Sequence, residues 1–258
     1  MYATERQNHI ERLLGDEGRV SVVDLAQRFD VTTETVRRDL DLLERSGSLR
    51  RVHGGAVALE RASTNEPSLD ERLTRHSAAK SAIARRALGA LGEGFRGSIF
   101  VDAGTTTAAL AAQLVDTLDA GTDVVTHALP IATALAAGPQ SSLTVIGGRV
   151  RGLTAAAVGA ETVHAIGTLR PDIAFVGANG ISAEFGVSTP DPDEAAVKTA
   201  IVRQARRVIV VADADKLGRE LLVSFARLSD IDVLVTDALP DAALAAALSD
   251  AEVEVWVA

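Results

Sequence analysis

The chain has 258 residues, of which 47% are hydrophobic and only 3% are aromatic. This composition is enough for a packed aliphatic core and excludes a disordered chain, while the scarcity of aromatic rings argues against nucleic-acid binding by base stacking. The chain has no Cys, which excludes disulfides, thiolate zinc sites and a cysteine nucleophile. The formal net charge is −9, but most of the excess acidity lies after residue 61, so the first part of the chain has nearly balanced charges.

The segment before residue 47 predicts three short helices, because apolar residues recur at spacings of three and four. In the third helix these residues are Val36, Leu40 and Leu43. Ser21 and Thr32 stand just before the second and third patterns, where N-cap residues are expected. Residues 49–57, interrupted by two glycines, predict a β-hairpin. This order is typical of a winged helix-turn-helix domain, which we place at residues 1–57.

Polar and basic side chains lie away from the apolar stripe of the third helix and recur in the hairpin. A helix in the major groove needs such side chains to reach bases and phosphates. The residues expected to contact a double-stranded DNA operator are Thr33, Thr35, Arg37, Arg38, Arg50, Arg51 and His53. The alternative is a small packing domain with a solvated charged face, but the agreement of caps, turn and hairpin favours DNA binding. One short helix reads only a few base pairs, so we expect a dimer or tetramer.

Residues 58–76 form a polar stretch that predicts a linker, and a helix is expected from residue 77 to about residue 91. Short, almost purely apolar segments then alternate with Ala-rich helical segments. This alternation predicts an α/β domain at residues 77–258, with a parallel sheet covered by helices on both faces. The predicted strands are SIFVD, DVVT, LTVIG, DIAFVG, RVIVVAD, VLVTD and VEVWV.

The carboxyl ends of such strands are where parallel sheets bind ligands. The first predicted strand ends at Asp102, and Gly104, Thr105 and Thr106 lead into the next helix. Threonine hydroxyls and free amides at a helix start suit a phosphate or a sugar hydroxyl. Simple helix capping by threonine explains the pattern equally well.

Three later loops carry further polar residues. Asn179 and Gly180 follow a strand, although a turn is the simpler interpretation. Glu194 and Lys198 share a helix face at a spacing typical of a surface ion pair. Lys216 follows another strand and would either pair with a phosphate or be exposed to solvent. Taken together, the loops at these strand ends favour one pocket for an anion and hydroxyl groups.

Signals for catalysis are weak. The five His residues show no metal-binding spacing, and the chain has no nucleophile elbow, Walker A loop or complete dinucleotide fingerprint. We therefore expect no catalytic residue, no metal site and no cofactor. No apolar run reaches the length of a membrane span and the N-terminus is charged, so no membrane partner and a cytoplasmic location are expected.

The segments VRRDLDLLE and RRVHGGA resemble the helix-turn-helix of the DeoR-type family of bacterial transcriptional regulators. VDAGTTT, VIGGRVR, GANG, GVSTPDPDEAAVKTA and ADADKLG resemble the sensor domain of that family, in the expected order. The resemblance implies a sensor related in fold to ribose-5-phosphate isomerase and CoA transferases, which recognises phosphorylated sugars or related metabolites. It implies an effector pocket formed by Asp102, Gly104, Thr105, Thr106, Asn179, Gly180, Thr189, Glu194, Lys198 and Lys216.

Two residues depart from the family pattern. His127 stands where many members have Asn, and Asp215 stands where a hydroxyl residue often precedes the lysine. A carboxylate beside a phosphate is unfavourable, so this departure implies a role for Lys216 other than phosphate binding.

VVTHALPIA, ANG and STPD resemble the subgroup associated with fructose uptake and phosphorylation, which implies fructose 1-phosphate as effector. The implied function is a repressor of a sugar-utilisation operon that is relieved by a phosphorylated sugar. The alternative is a sugar-phosphate isomerase-like enzyme with an appended DNA-binding domain, in which Glu194 or Asp102 would be the general base.

Overall fold

The structure is a computed structural model that describes residues 3–17, 19–46, 48–58, 63–64, 66–118, 121–138 and 142–258. The chain divides into two compact units, Met1–Ala62 and Ser63–Ala258. We call them the N-terminal unit and the C-terminal unit. The segment expected to be a linker thus lies mostly in the C-terminal unit, and it contains a helix at Leu69–Thr74.

The N-terminal unit has the predicted order of three helices and a hairpin. Its elements are α1 (Ala3–Glu17), β1 (Arg19–Ser21), α2 (Val22–Phe29), α3 (Thr33–Arg45), β2 (Leu49–Val52) and β3 (Gly55–Ala58). The Ser21 and Thr32 side chains accept hydrogen bonds from the amides of Val23 and Thr35, so both predicted caps are confirmed. The strands form an antiparallel sheet in the order β1-β3-β2.

The helices of this unit enclose a small aliphatic core. Ile10, Val36 and Leu40 are fully buried in it. At Gly55, a Cβ atom would lie 2.0 Å from the Val20 carbonyl oxygen. Glycine therefore lets β3 lie directly against β1, and the expected winged helix-turn-helix is confirmed.

The C-terminal unit contains the predicted parallel sheet and two smaller antiparallel sheets. In chain order its elements are α4 (Leu69–Thr74), α5 (Ser77–Leu88), β4 (Gly97–Val101), α6 (Thr105–Leu114), β5 (Thr122–Thr126), α7 (Leu129–Ala136), β6 (Ser142–Val145), β7 (Arg149–Arg151), β8 (Ala156–Val158), α8 (Ala160–Gly167), β9 (Ile173–Gly177), β10 (Gly180–Ser182), β11 (Gly186–Thr189), α9 (Pro192–Gln204), β12 (Arg207–Val211), β13 (Val223–Ala226), β14 (Val233–Thr236), α10 (Ala242–Asp250) and β15 (Glu254–Val257).

Each of the seven predicted strands belongs to the parallel sheet, whose order is β6-β5-β4-β9-β12-β14-β15. The direction of strand addition reverses at β4. The chain first adds β5 and β6 on one side of β4 and then adds β9, β12, β14 and β15 on the other. In open sheets of this kind, ligands bind at the carboxyl ends of the strands where the order reverses. Here that position lies between β4 and β9.

Apolar side chains cover both faces of the parallel sheet. One face carries Phe100 and packs against helices that include α9, through Ile201. The other face carries Phe175 and packs against helices that include α6, through Leu110. The two cores explain why the strand segments are mostly apolar, since both faces of the central strands β9, β12 and β14 are withdrawn from water. The α/β fold class is confirmed.

The smaller sheets were not predicted. β7 pairs with β8, and β10, β11 and β13 form a three-stranded sheet. None of the helices in the described part of the chain is long and apolar enough to cross a membrane.

Candidate functional site

Four neighbouring strands of the parallel sheet, β5, β4, β9 and β12, end at one edge. Polar residues follow each of these ends: His127 after β5, Asp102 after β4, Asn179 after β9 and Asp213 after β12. Asp102 and Asn179 flank the position where the strand order reverses. The structure therefore collects at one edge the loops that the sequence singled out after three of these strands.

Asp102 is the centre of a buried polar cluster. Its side chain is fully buried, and Oδ2 accepts a hydrogen bond from the Gly177 amide at 2.9 Å. The Lys198 side chain is 5% exposed, and its ammonium donates to the same oxygen and, at 3.0 Å, to the Gly177 carbonyl. The cluster thus joins the end of β4, the end of β9 and α9.

His127 is buried beside the second carboxylate oxygen of Asp102. Its Nε2 atom lies 3.1 Å from Asp102 Oδ1, and its Nδ1 atom lies 2.8 Å from the Ala157 carbonyl oxygen. A carbonyl only accepts, so Nδ1 donates to Ala157. The Nε2 atom then has two alternative partners: it accepts from the Ala103 amide at 3.3 Å in the neutral ring and donates to Asp102 in the protonated ring. This residue, which departs from the family pattern, therefore belongs to the cluster.

The charges around Asp102 favour its ionised form. Burial by itself raises the pKa of the carboxyl group, but the Lys198 charge and the His127 hydrogen bond outweigh burial and hold the pKa below its ordinary value. A carboxylate with a lowered pKa is a weak base. Both of its oxygens already lie close to internal partners.

The start of α6 lies two residues after Asp102. Thr105 is half-buried and Thr106 is buried, while Thr107 donates to the Gly104 carbonyl at 3.0 Å. The first amides of a helix have no acceptor within that helix, and its N-terminus favours negative charge. No side chain caps the first amides of α6, so the helix start has the chemistry expected of an anion site.

Asn179 and Thr189 are brought together, because the Thr189 hydroxyl donates to the Asn179 side-chain oxygen at 3.1 Å. Gly180 has a packing role. A Cβ atom there would lie 2.5 Å from the Arg219 carbonyl oxygen and 2.6 Å from a Leu221 methyl group. Close approach of the 219–221 loop explains this glycine without a ligand.

Glu194 and Lys198 do not form the surface ion pair that their spacing suggests. Both are buried, at 5% and 4% exposure, because this side of α9 packs within the unit. Glu194 accepts hydrogen bonds from Thr154 at 2.5 Å and from Arg151 at 3.0 Å. The two residues therefore serve separate clusters.

Lys216 lies in a short 3-10 turn, with its ammonium 3.8 Å from Asp213 Oδ1 and its side chain 25% exposed. The adjacent Asp215, the second departure from the family pattern, lies 3.4 Å from Arg75 and 3.1 Å from His76. The extra carboxylate is thus paired with the residues that follow α4.

On α3, Thr33, Arg37 and Arg38 are exposed. The two arginines lie 3.8 Å and 3.7 Å from Glu34 in solvent-exposed pairs, which contribute little to stability and leave the guanidinium groups available. Thr35 is half-buried, and its hydroxyl lies 2.9 Å from that of Thr32.

On the hairpin, Arg50 and His53 are exposed. Arg51 has internal partners: its guanidinium pairs with Asp41 of α3, and its amide donates to Glu44 at 2.8 Å. Arg51 therefore fastens the hairpin to α3. The other basic residues expected to contact DNA face solvent.

The burial of some charged residues was not predicted from the sequence. Arg151, Glu66 and Lys80 were not singled out, although their side chains are largely withdrawn from water. A charged residue in a polar stretch looks the same in sequence whether it is buried or exposed, so no local signal was available. Among the described residues, no group of three or more His, Asp and Glu side chains is placed to hold a metal ion.

Comparison with known proteins identifies both units. Residues 6–62 match the DeoR-like helix-turn-helix domain, and residues 75–238 match the DeoR C-terminal sensor domain. The chain is 35% identical over 240 residues to the uncharacterized HTH-type transcriptional regulator FruR of Bacillus subtilis, covering 92% of each chain. It is 32% identical over 254 residues to the glycerol-3-phosphate regulon repressor of Escherichia coli, covering 98% of each.

Among solved structures, a D-ribose-5-phosphate isomerase in complex with phospho-erythronic acid aligns with a TM-score of 0.41 and 16% identity, over 55% of this chain and 54% of that one. The two family matches together span most of the chain, and both relatives align over nearly their whole length. The chain therefore belongs to the DeoR family of helix-turn-helix transcriptional regulators.

Proposed function

We propose that this protein is a cytoplasmic repressor of a sugar-utilisation operon, with fructose as the first candidate sugar. It binds a double-stranded operator as a dimer or tetramer and releases it when a phosphorylated sugar, first of all fructose 1-phosphate, binds the C-terminal unit. The relative named glycerol-3-phosphate regulon repressor supports regulation by a phosphorylated metabolite.

The observation that carries the sensing role is the Asp102–Lys198 pair, directly before the start of α6 and beside the reversal in strand order. The amides and the Thr105 and Thr106 hydroxyls at the start of α6 are donors for a phosphate. The half-buried Asn179 side chain offers hydrogen-bonding groups for sugar hydroxyls, while Asp102 holds the end of β9 through the Gly177 amide. This combination suits a ligand with one anionic end and one hydroxyl-rich end.

The DNA-binding role is supported by the exposed guanidinium groups on α3 and the hairpin. Arg37 and Arg38 project from α3, the second helix of the helix-turn-helix, which enters the major groove in this fold. Replacing both by Ala should weaken operator binding and reduce the slope of log K against log salt by roughly one unit per lost phosphate contact. Arg85→Ala, an exposed change in the C-terminal unit, is the matched control.

The isomerase alternative requires a general base near the substrate. Asp102 has a lowered pKa and a lysine partner, and Glu194 already accepts bonds from Arg151 and Thr154. Both carboxylates are engaged in internal pairs, which argues against proton abstraction by either of them. Measured turnover of a sugar phosphate by the purified protein would overturn this choice.

The deciding experiment measures operator affinity of the full chain in the presence of fructose 1-phosphate, fructose 6-phosphate, glycerol 3-phosphate or free fructose. We expect one sugar phosphate to weaken operator binding at least about fivefold, the lower end of typical coupling, while free fructose has no effect. Response to glycerol 3-phosphate alone would replace the sugar assignment, and response to none of them would refute the proposed effector class. Light scattering of the same sample gives the oligomeric state.

A further inference from the structure

A second buried cluster of charges lies in the C-terminal unit, and Arg151 of β7 is its centre. The guanidinium lies 2.8 Å from Glu66, 3.0 Å from Asp191 and 3.0 Å from Glu194. The side chains of Glu66 and Glu194 are 2% and 6% exposed, and that of Arg151 is 19% exposed. Buried charges of this kind persist only when they are well paired, so losing one contact disturbs the others.

One side of this cluster leads to the strand-end site through α9. Asp191 caps α9 by accepting from the Glu194 amide at 3.0 Å. Because Arg151 pairs with both Asp191 and Glu194, it is bonded to the first turn of the helix. Lys198, one turn further along α9, pairs with Asp102. A helix turn is stiff compared with a loop, so a displacement at Lys198 is passed to Glu194.

The other side leads to the segment 66–76, which begins four residues after the N-terminal unit ends at Ala62. Glu66 also lies 3.0 Å from Arg72 of α4, and the Arg72 guanidinium donates to the Leu153 carbonyl at 3.2 Å. The buried Lys80 ammonium donates to the carbonyl oxygens of Arg72 and, at 2.6 Å, of Arg75. The segment is thus held at its start by Arg151 and at its end by Lys80.

We propose that Arg151 and Glu66 are positioning residues that couple the strand-end site to the DNA-binding unit through segment 66–76. The inference rests on the proposed function. A ligand beside Asp102 changes the charge around Lys198 and favours a different position of α9, and the Arg151 bridge passes that change to the segment. The ligand shifts the equilibrium by its difference in affinity for the two positions.

Glu66 suits this role because its pairing is finely balanced. Burial first, and then the Glu194 charge, raise the pKa of Glu66 above its ordinary value, while Arg72 and Arg151 oppose them. Glu66 and Glu194 share the Nη1 nitrogen of Arg151, so a small movement of Glu194 changes the strength of the Glu66 contact.

The first test is Glu66→Ala, with Asp70→Ala as control. Glu66→Ala cuts the bridge but leaves Arg151 paired with Asp191 and Glu194. Asp70 is an exposed carboxylate of the same segment. We expect the affinity of Glu66→Ala for fructose 1-phosphate alone, and its affinity for operator alone, to stay within about twofold of wild type. Fructose 1-phosphate should then change the operator affinity of this variant less than about twofold, instead of by the 5- to 150-fold of typical coupling. Asp70→Ala should respond like wild type.

Retained coupling in Glu66→Ala would overturn the proposal, and so would loss of fructose 1-phosphate binding, which would make Glu66 a ligand contact. Arg151→Met repeats the test from the other side of the bridge. Its control is Arg149→Met, because Arg149 lies on the same strand and pairs with the exposed Asp193.

A measurement without effector separates this inference from the proposed function. Lys198→Arg keeps the charge of Lys198 and disturbs its contact with Asp102. We expect Lys198→Arg to raise the amide hydrogen exchange rate of α4 several-fold relative to that of α10. Glu66→Ala should also raise the exchange rate of α4, and the double variant Lys198→Arg/Glu66→Ala should exchange no faster than Glu66→Ala alone. If the double variant exchanged faster by the product of the two single effects, the bridge would be refuted even if fructose 1-phosphate acts as an effector. A wild type that ignores every sugar phosphate, with this exchange pattern intact, would refute the proposed effector alone.

Discussion

Asp102→Asn should strongly destabilise the C-terminal unit. The substitution preserves the size of the side chain and an acceptor for the Gly177 amide, but it removes the only charge that the structure pairs with the Lys198 ammonium among the described residues. Lys198 is 4% exposed, so water does not replace the lost partner. Breaking a buried pair from one side costs about 3–5 kcal/mol, which corresponds to a fall in melting temperature of roughly 6–20 °C for a unit of this size.

A double-mutant cycle isolates the pair itself. Lys198→Met leaves Asp102 buried without its ammonium partner and should cost a similar free energy. The double variant Asp102→Asn/Lys198→Met has neither charge, so we expect it to be more stable than the sum of the single effects predicts, by about 0.5–3 kcal/mol. The excess is the coupling free energy of the pair.

Urea unfolding followed by Trp256 fluorescence measures these values. Trp256 is the single Trp of the chain and lies in β15, with the Arg86 and Arg207 guanidinium carbons 4.5 Å and 5.7 Å from its ring centroid. The signal therefore reports the C-terminal unit. Asp123→Asn, at an exposed position of β5, should stay within about 0.5 kcal/mol of wild type. Additive single effects, or an Asp102→Asn change as small as this control, would refute the reasoning.

Three further outcomes are expected. Asp39→Asn should cost the N-terminal unit about 3–5 kcal/mol because it leaves the buried Arg6 guanidinium, 2.5 Å away, without its carboxylate; circular dichroism should record this loss while Trp256 fluorescence is unchanged, and an unchanged melt would show the pair to be dispensable. Thr32→Ala removes the cap of α3 and should cost about 1 kcal/mol in the same melt, whereas a loss below the error of the measurement would contradict the cap. Because the folded-state pKa of Asp102 is lowered from 3.8, its contribution to stability is present above that pH and is lost as the pH falls below it towards the folded-state pKa. Asp102→Asn should flatten the acid limb of the stability curve, and an identical limb in both proteins would assign acid sensitivity to other carboxyl groups.

The elements of this fold follow from short-range patterns that the amino-acid sequence contains. The seven parallel strands coincide with the seven apolar segments because both faces of the central strands are buried, which favours apolar residues there. Ser21 and Thr32 cap α2 and α3 as predicted, because a cap depends on the amides two or three residues away. The strand-end loops were also identifiable, since a parallel sheet brings the carboxyl ends of its strands to one edge.

The partners of the charged residues depended on the tertiary structure. Lys198 has a glutamate four residues earlier, yet its partner is Asp102, 96 residues away. Arg151 pairs with Glu66, which lies 85 residues earlier in the sequence, and Arg51 of the hairpin pairs with Asp41 of α3. Local spacing predicts which charged residues lie close enough on one helix to form an ion pair, but burial decides whether those charges require a partner. Burial depends on which distant segments pack together. A desolvated charge then pairs with the opposite charge that this packing places next to it.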